Sequence, residues 1–148
     1  MLTGRVDGRL DAEAEEAAAL CAPLHTDDHT GDSDGVERLT NNTAELKAIV
    51  VALRHVRTCP TLRGRAALIR YDSKYAAMIT TSVWRARKHK KLAAVARDEW
   101  QRARTALKGR LWLKHVKGHS GHRWNDRADE LADKGRRGVV QPAPRVVD

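Results

Sequence analysis

Three carboxylates of this 148-residue chain stand where an acid needs a reason. Glu45 falls in the first turn of a predicted helix, Asp72 closes the apolar run RAALIRY at 65–71, and Asp129 lies on the last helical segment. Strand ends in α/β sheets are where sites collect. An acid that ends an apolar strand must be solvated, paired or metal-bound, because a lone buried carboxylate is costly. Taken singly, two of them also have purely structural explanations: Asp72 could cap the helix that follows it, and Glu45 could stabilise the positive end of its helix dipole. His115, His119 and His122 crowd a second stretch. A zinc site built from them is disfavoured, because His115 lies on a predicted strand, no Cys or carboxylate has matching spacing, and closely spaced histidines can simply be solvated.

Positioning these groups requires a framework of helices and strands. NNTAELKAIVVALRHV sets Ala44, Ile49, Ala52, Leu53 and Val56 at near-helical spacing behind Asn and Thr, which predicts a helix over about 43–57. Cys59-Pro60 and Gly64 break it, and 65–71 has the length of a buried strand. Residues 73–84 predict a second helix, RARKHKK at 85–91 a basic joint, and 92–108 a third helix. RLWLKHV at 110–116 alternates with period two, the sign of a half-buried strand. The loop KGHSGH leads into a closing helix over 124–136, stopped near Gly135 or Gly138, and 137–148 is expected to be a disordered tail. Upstream, 10–22 (LDAEAEEAAALCA) is rich in helix formers and predicts a short helix, while Pro23 to Gly35 is polar and acidic and reads as a loop or linker. The order α, β, α, α, β, α implies an α/β architecture with helices covering a sheet.

Charge separates the two parts of the chain. Residues 1–40 hold 3 Lys and Arg against 10 Asp and Glu, whereas 41–148 hold 25 against 9, so the first part carries −7 and the second +16. Such a field favours a polyanion partner, since each phosphate neutralised releases counterions. A solvated basic surface serving solubility is the bland alternative. Trp84 beside Arg85, Arg87, Lys88, His89, Lys90 and Lys91 sets an aromatic next to a dense basic run, suited to phosphate contacts that carry no sequence information. Cys21 and Cys59 form no CxxC pair, which suits a reducing compartment. No apolar stretch approaches membrane-spanning length and no h-region precedes the early acids, so the expectation is an intracellular protein, cytoplasmic or nuclear, not secreted and without a membrane partner; a monomer is expected as well.

Three stretches, in order, resemble the signature blocks of type 1 ribonuclease H: TNNTAEL at 40–46, YDSKYA at 71–76 and VKGHSGHRWNDRADELA at 116–132. The third is the most specific, joining a strand, a Gly-His-Ser-Gly-His loop and an Asn-x-x-Ala-Asp-x-Leu-Ala helix. The resemblance covers about 41–136 and implies a ribonuclease H-like α/β fold there, between an acidic N-terminal segment (1–40) and the tail. It implies hydrolysis of the RNA strand of an RNA/DNA hybrid, with Glu45, Asp72 and Asp129 as metal-binding carboxylates for Mg²⁺ or Mn²⁺. It also implies His119 as the loop histidine that assists proton transfer or product release. Thr40, Asn41 and Asn42 would contact the hybrid, Lys74 would reach a phosphate, and Asn125 would support the site behind the final Asp. Helix capping accounts for one of the two Asn residues and leaves the other unexplained.

The N-terminal part departs from the pattern. The family opens with three antiparallel strands, the first carrying a fourth acid in a hydrophobic-x-Asp-Gly-Ser pattern, and this chain offers RVDGRL at 5–10 with Asp7. Gly35 to Leu39 could be a remnant of the third strand. The fourth carboxylate is therefore open between Asp7 and an acid within 27–34, and that acidic stretch could instead mask the basic cleft. Two further readings stay open: a non-catalytic nucleic-acid-binding module that keeps the fold, and a fragment of a retroelement polyprotein.

Overall fold

The computed structural model describes residues 2–3, 16–18, 34–60, 64–117 and 123–140. They fall into two compact units, His25–His115 on the one hand and Met1–Leu24 with Val116–Asp148 on the other. The smaller unit holds β1 (Leu2–Thr3), β2 (Glu16–Ala18) and the last helix, and the larger one holds the remaining elements.

In the larger unit, α1 spans Asn41–Thr58, β3 Ala67–Tyr71, α2 Lys74–Thr80, α3 Lys90–Ala106 and β4 Leu111–His115. The α1 pattern buries Leu46, Ile49, Val50, Leu53 and Val56 along one stripe, the i, i+3, i+4 spacing that turns one helical face inward. That stripe packs on α2 and α3. The facing positions on α3 are Leu92, Ala93, Ala96, Trp100 and Ala103, where small alanines let the helix axes approach. β3 and β4 pair in parallel, Ala67 with Leu111 through Tyr71 with His115. Parallel partners need a long crossover, and α2 with α3 supplies it.

Arg54 holds this layer together. It forks onto Asp34, Nη1 to Oδ2 at 2.7 Å and Nη2 to Oδ1 at 2.6 Å, while its Nε donates to Glu99 Oε1 at 3.3 Å. Lys47 also pairs with Asp34, and Arg57 donates to the second oxygen of Glu99 at 3.2 Å. Both acids are almost wholly covered, each at 5% exposure, so each requires its cations: an unpaired buried carboxylate is severely penalised. The network ties the segment before α1 to α1 and α1 to α3. Gly35, next to Asp34, has φ +86, and a Cβ there would stand 2.4 Å from Lys91 Cβ, so the chain passes over the start of α3 only because this residue lacks a side chain.

In the smaller unit, β1 and β2 pair antiparallel, Leu2 with Ala18 and Thr3 with Glu16. The closing helix, α4, spans Arg123–Arg136. The predicted helix over 10–22 is thereby corrected: Glu16–Ala18 is strand, because propensity is a weak prior that a pairing partner overrides. The third-strand remnant expected at 35–39 is also corrected, since those residues form no strand and Val36 is instead buried as a plug at 1% exposure. The second helix ends at Thr80, short of the expected residue 84. RVDGRL, the acids at 27, 28 and 32, and the tail beyond 140 lie outside the described residues.

Two outcomes follow for stability. Arg54→Met leaves two covered acids each with a single cation, and urea denaturation is expected to show a loss of about 3 kcal/mol, the low end for breaking a buried pair because Arg54 itself is 37% exposed. The hydrogen bonds of Arg54 hold the Asp34 carboxyl well below its ordinary 3.8 against the opposing effect of burial. The unfolded chain therefore takes up that proton first as pH falls. The stabilisation is complete above the unfolded value near 4 and is lost progressively below it. Asp34→Asn is expected to be less stable at neutral pH and to flatten the decline in denaturation midpoint below pH 4.

Candidate active site

The first signature block folds around a threonine pair. Thr40 is the N-cap of α1: its Oγ1 accepts from the Thr43 amide at 3.1 Å, and Thr43 Oγ1 accepts in return from the Thr40 amide at 2.9 Å. The Thr43 hydroxyl, fully buried, donates to the Arg38 carbonyl at 2.7 Å. The cap is thus made by neither asparagine, so the expectation that capping explains one of them is corrected. Asn41 and Asn42 stand exposed in the first turn, at a helix end whose amides attract anions. Glu45 also moves: with α1 starting at Asn41, it is the fifth helical residue, beyond the first turn, and it is exposed. The helix-dipole explanation for this acid loses its force, since that effect falls off within the first turn.

The second block places Asp72 immediately after the last residue of β3, half-buried. The helix that follows is capped by Ser73, whose Oγ accepts from the Ala76 amide at 3.2 Å, so Asp72 is not the cap. Its carboxylate makes no hydrogen bond or ion pair among the described residues. On the adjacent strand His115 stands in register with Tyr71, and its Nε2 lies 3.3 Å from the Asp72 carbonyl oxygen. Lys74, the first residue of α2, is exposed.

The third block is described in part. His119 lies outside the described residues. Asp129 is half-buried on α4, one turn beyond Asn125 and on the same face, as i, i+4 spacing requires. Arg127 and Lys134 pair with Glu130 at 2.8 and 3.2 Å, and Arg136 and Arg137 pair with Asp133 at 2.8 and 3.0 Å. These cations lower both exposed carboxyls, the Arg127 hydrogen bond chiefly for Glu130 and the Arg136 hydrogen bond for Asp133. Asp129 takes part in none of these pairs, and its carboxylate is unpartnered among the described residues.

Glu45 and Asp72 belong to the larger unit and Asp129 to the smaller. Among the described residues no group of three or more His, Cys, Asp or Glu side chains gathers into a metal site. The donor chemistry nevertheless suits a hard divalent cation, since Asp72 and Asp129 offer carboxylate oxygens that no arginine or lysine among the described residues neutralises. Asp34 differs from them: both of its oxygens are taken by Arg54 and Lys47.

A groove of about 460 Å³ opens beside the basic joint, lined by Val83, Trp84, Arg85, Lys90 and Arg97 among others. Trp84 is 48% exposed. Arg97, which comes from within α3, was not singled out from sequence. Its place seven residues after Lys90, two helical turns on the same face, was the available signal.

The RNase H family model matches residues 6–137, which takes in the N-terminal stretch around Asp7 as well as the three blocks. Ribonuclease H of Afipia carboxidovorans is 36% identical over 110 residues, covering 68% of this chain and 69% of that protein. Ribonuclease H of Alcanivorax borkumensis is also 36% identical over 110 residues, covering 68% of each. The crystal structure of RNase H1 from the halophilic archaeon Halobacterium salinarum aligns at 28% identity and a TM-score of 0.44, over 66% of this chain and 67% of that one. Matched through most of its length, with the three acid-bearing blocks in order, the chain belongs to the ribonuclease H family of nucleases and has that family's α/β fold.

Proposed function

We propose that the chain is an endonuclease that hydrolyses the RNA strand of RNA/DNA hybrids as a monomer, using two divalent ions held by Glu45, Asp72 and Asp129. The observation that carries this reading is the RNase H family match over residues 6–137, which takes in all three acid-bearing blocks. Asp34, Glu99, Glu130 and Asp133 are each held by arginine or lysine, while the block acids Asp72 and Asp129 keep open carboxylates among the described residues. Asp34 is committed to Arg54 and Lys47, which leaves the fourth ligand between Asp7 and Asp27, Asp28 or Asp32, all of them inside the family match over residues 6–137.

Mg²⁺ or Mn²⁺, when bound, supplies activation of the attacking water and charge stabilisation at the leaving oxygen of an in-line displacement. The chain's own residues do the rest. The attack breaks the bond between phosphorus and the 3′ oxygen, so the products are a 5′-phosphate and a 3′-hydroxyl. His119, between glycines, moves a proton near the attacking water or assists release of the product. Asn41 and Asn42 donate to the hybrid in its minor groove, where the 2′-hydroxyl separates RNA from DNA. Thr40 contributes by holding the first turn that presents them. Lys74 meets a phosphate, and Asn125 supports Asp129 from one turn earlier on α4. The Trp84 groove receives the sugar-phosphate backbone of the DNA strand, contacts that position without reading sequence. Such hybrids form where RNA and DNA are synthesised, the reason for assigning an intracellular setting. No described helix is long and apolar enough to cross a membrane.

With a labelled hybrid in Mg²⁺, Asp72→Asn and Asp129→Asn are each expected to cut roughly a thousand-fold more slowly, the equivalent of several kcal/mol of lost charge stabilisation. Hybrid binding in the same variants stays near wild type. A variant that cleaves at the wild-type rate overturns the ligand assignment. Replacing Arg85, Lys90 and Arg97 together by Gln is expected to weaken hybrids of every sequence alike. It should also flatten the dependence of log K on log salt by about 0.9 for each phosphate that is no longer neutralised, as a salt titration would show. An unchanged slope excludes the groove from the interface.

A further inference from the structure

The end of the β3–β4 pair carries a hydrogen bond that the signature blocks do not account for. The Asp72 carbonyl lies past the last paired residue of β3, Tyr71, and ahead of the first helical acceptor, Ser73, whose carbonyl receives the Ala77 amide at 3.3 Å. Neither the strand ladder nor the helix therefore fixes that peptide. His115 does: its Nε2 stands 3.3 Å from the Asp72 oxygen, and since a carbonyl can only accept, the imidazole donates. The ring is itself steadied against Tyr71, its register partner, with centroids 5.6 Å apart and planes inclined at 59°.

We infer that His115 is a positioning residue for Asp72. It anchors the backbone of the acid from the neighbouring strand and so sets the direction in which the carboxylate leaves the sheet. The inference rests on the reading of Asp72 as a metal ligand. Direction matters for such a ligand because Mg²⁺ demands near-ideal octahedral geometry at short range, and loss of a group that orients a ligand costs about 10–100-fold in metal affinity or activity. An exposed bond of 3.3 Å points to the low end of that range.

The test uses the whole chain, with Mn²⁺ binding followed by calorimetry and hybrid cleavage titrated with Mg²⁺. Asp72→Asn first defines the site by removing the Mn²⁺ signal. His115→Phe keeps a ring against Tyr71 and removes the donor. It is expected to weaken Mn²⁺ about tenfold and to raise the Mg²⁺ needed for half-maximal cleavage by a similar factor, with KM for the hybrid at saturating Mg²⁺ unchanged. His115→Gln, which returns an amide nitrogen near the place of Nε2, is expected to recover most of the affinity. Mn²⁺ binding by His115→Phe equal to wild type overturns the inference alone, as does a failure of Gln to outperform Phe. A wild-type chain with no Mn²⁺ signal, or a signal that survives Asp72→Asn, overturns the metal reading and the inference with it.

Discussion

Arg54 sits between two carboxylates that water scarcely reaches, and the larger unit is arranged around that fact. Asp34 and Glu99 are each 5% exposed, and removing charged groups from water is worthwhile only where geometry is good and partners are complete. The bidentate fork on Asp34 supplies that geometry, and Arg57 and Lys47 complete the set. The network also acts on position. Arg54 lies roughly two and a half turns along α1 from Glu45, so whatever fixes Arg54 against α3 also fixes where Glu45, Asn41 and Asn42 emerge. The second constraint is the parallel pairing of β3 with β4, which brings His115 beside Asp72 at the carboxyl ends of the strands. One acid is thus placed by ion pairing beneath its helix, and another by a sheet edge and a neighbouring imidazole.

Much of the larger unit was legible because its periodicities are strong. The α1 stripe and the β4 alternation follow the periods of a helix and a strand, the β3 run is marked by its length between breakers, and the observed bounds fall within a few residues of the expected ones. What was not legible depends on partners distant in sequence. Glu16–Ala18 is built from good helix formers and becomes strand through pairing with Leu2–Thr3, and no window of local sequence contains that partner. Asp34 reads as one more acid in a polar stretch, and only the fold shows Arg54 and Lys47 waiting for it. The cap of α1 could be misread because Thr40, Asn41 and Asn42 are all competent caps; the reciprocal bond with Thr43 decides for Thr40. That choice matters for function, since neither asparagine amide is needed to cap the helix.

The same division applies to the chemistry. The three block acids were found by their wording and order, and the structure removes the simplest competing explanations for two of them: Ser73 caps in place of Asp72, and Glu45 stands beyond the first turn. His115 was visible as a strand histidine, but its hydrogen bond to Asp72 arises only from the β3–β4 register. Arg97 becomes part of a basic groove only because α3 runs behind the joint that carries Trp84.

The central claim is that this member of the ribonuclease H family cuts one strand of a mixed duplex. The most direct measurement is end-group analysis of a hybrid labelled separately on its RNA and DNA strands, beside all-DNA and all-RNA duplexes, in Mg²⁺ and in chelator. The account predicts RNA fragments bearing 5′-phosphate and 3′-hydroxyl ends, an intact DNA strand, intact homoduplexes and no product in chelator. Products from the DNA strand or the homoduplexes, RNA cleavage that persists in chelator, or no cleavage of the hybrid at all would contradict it.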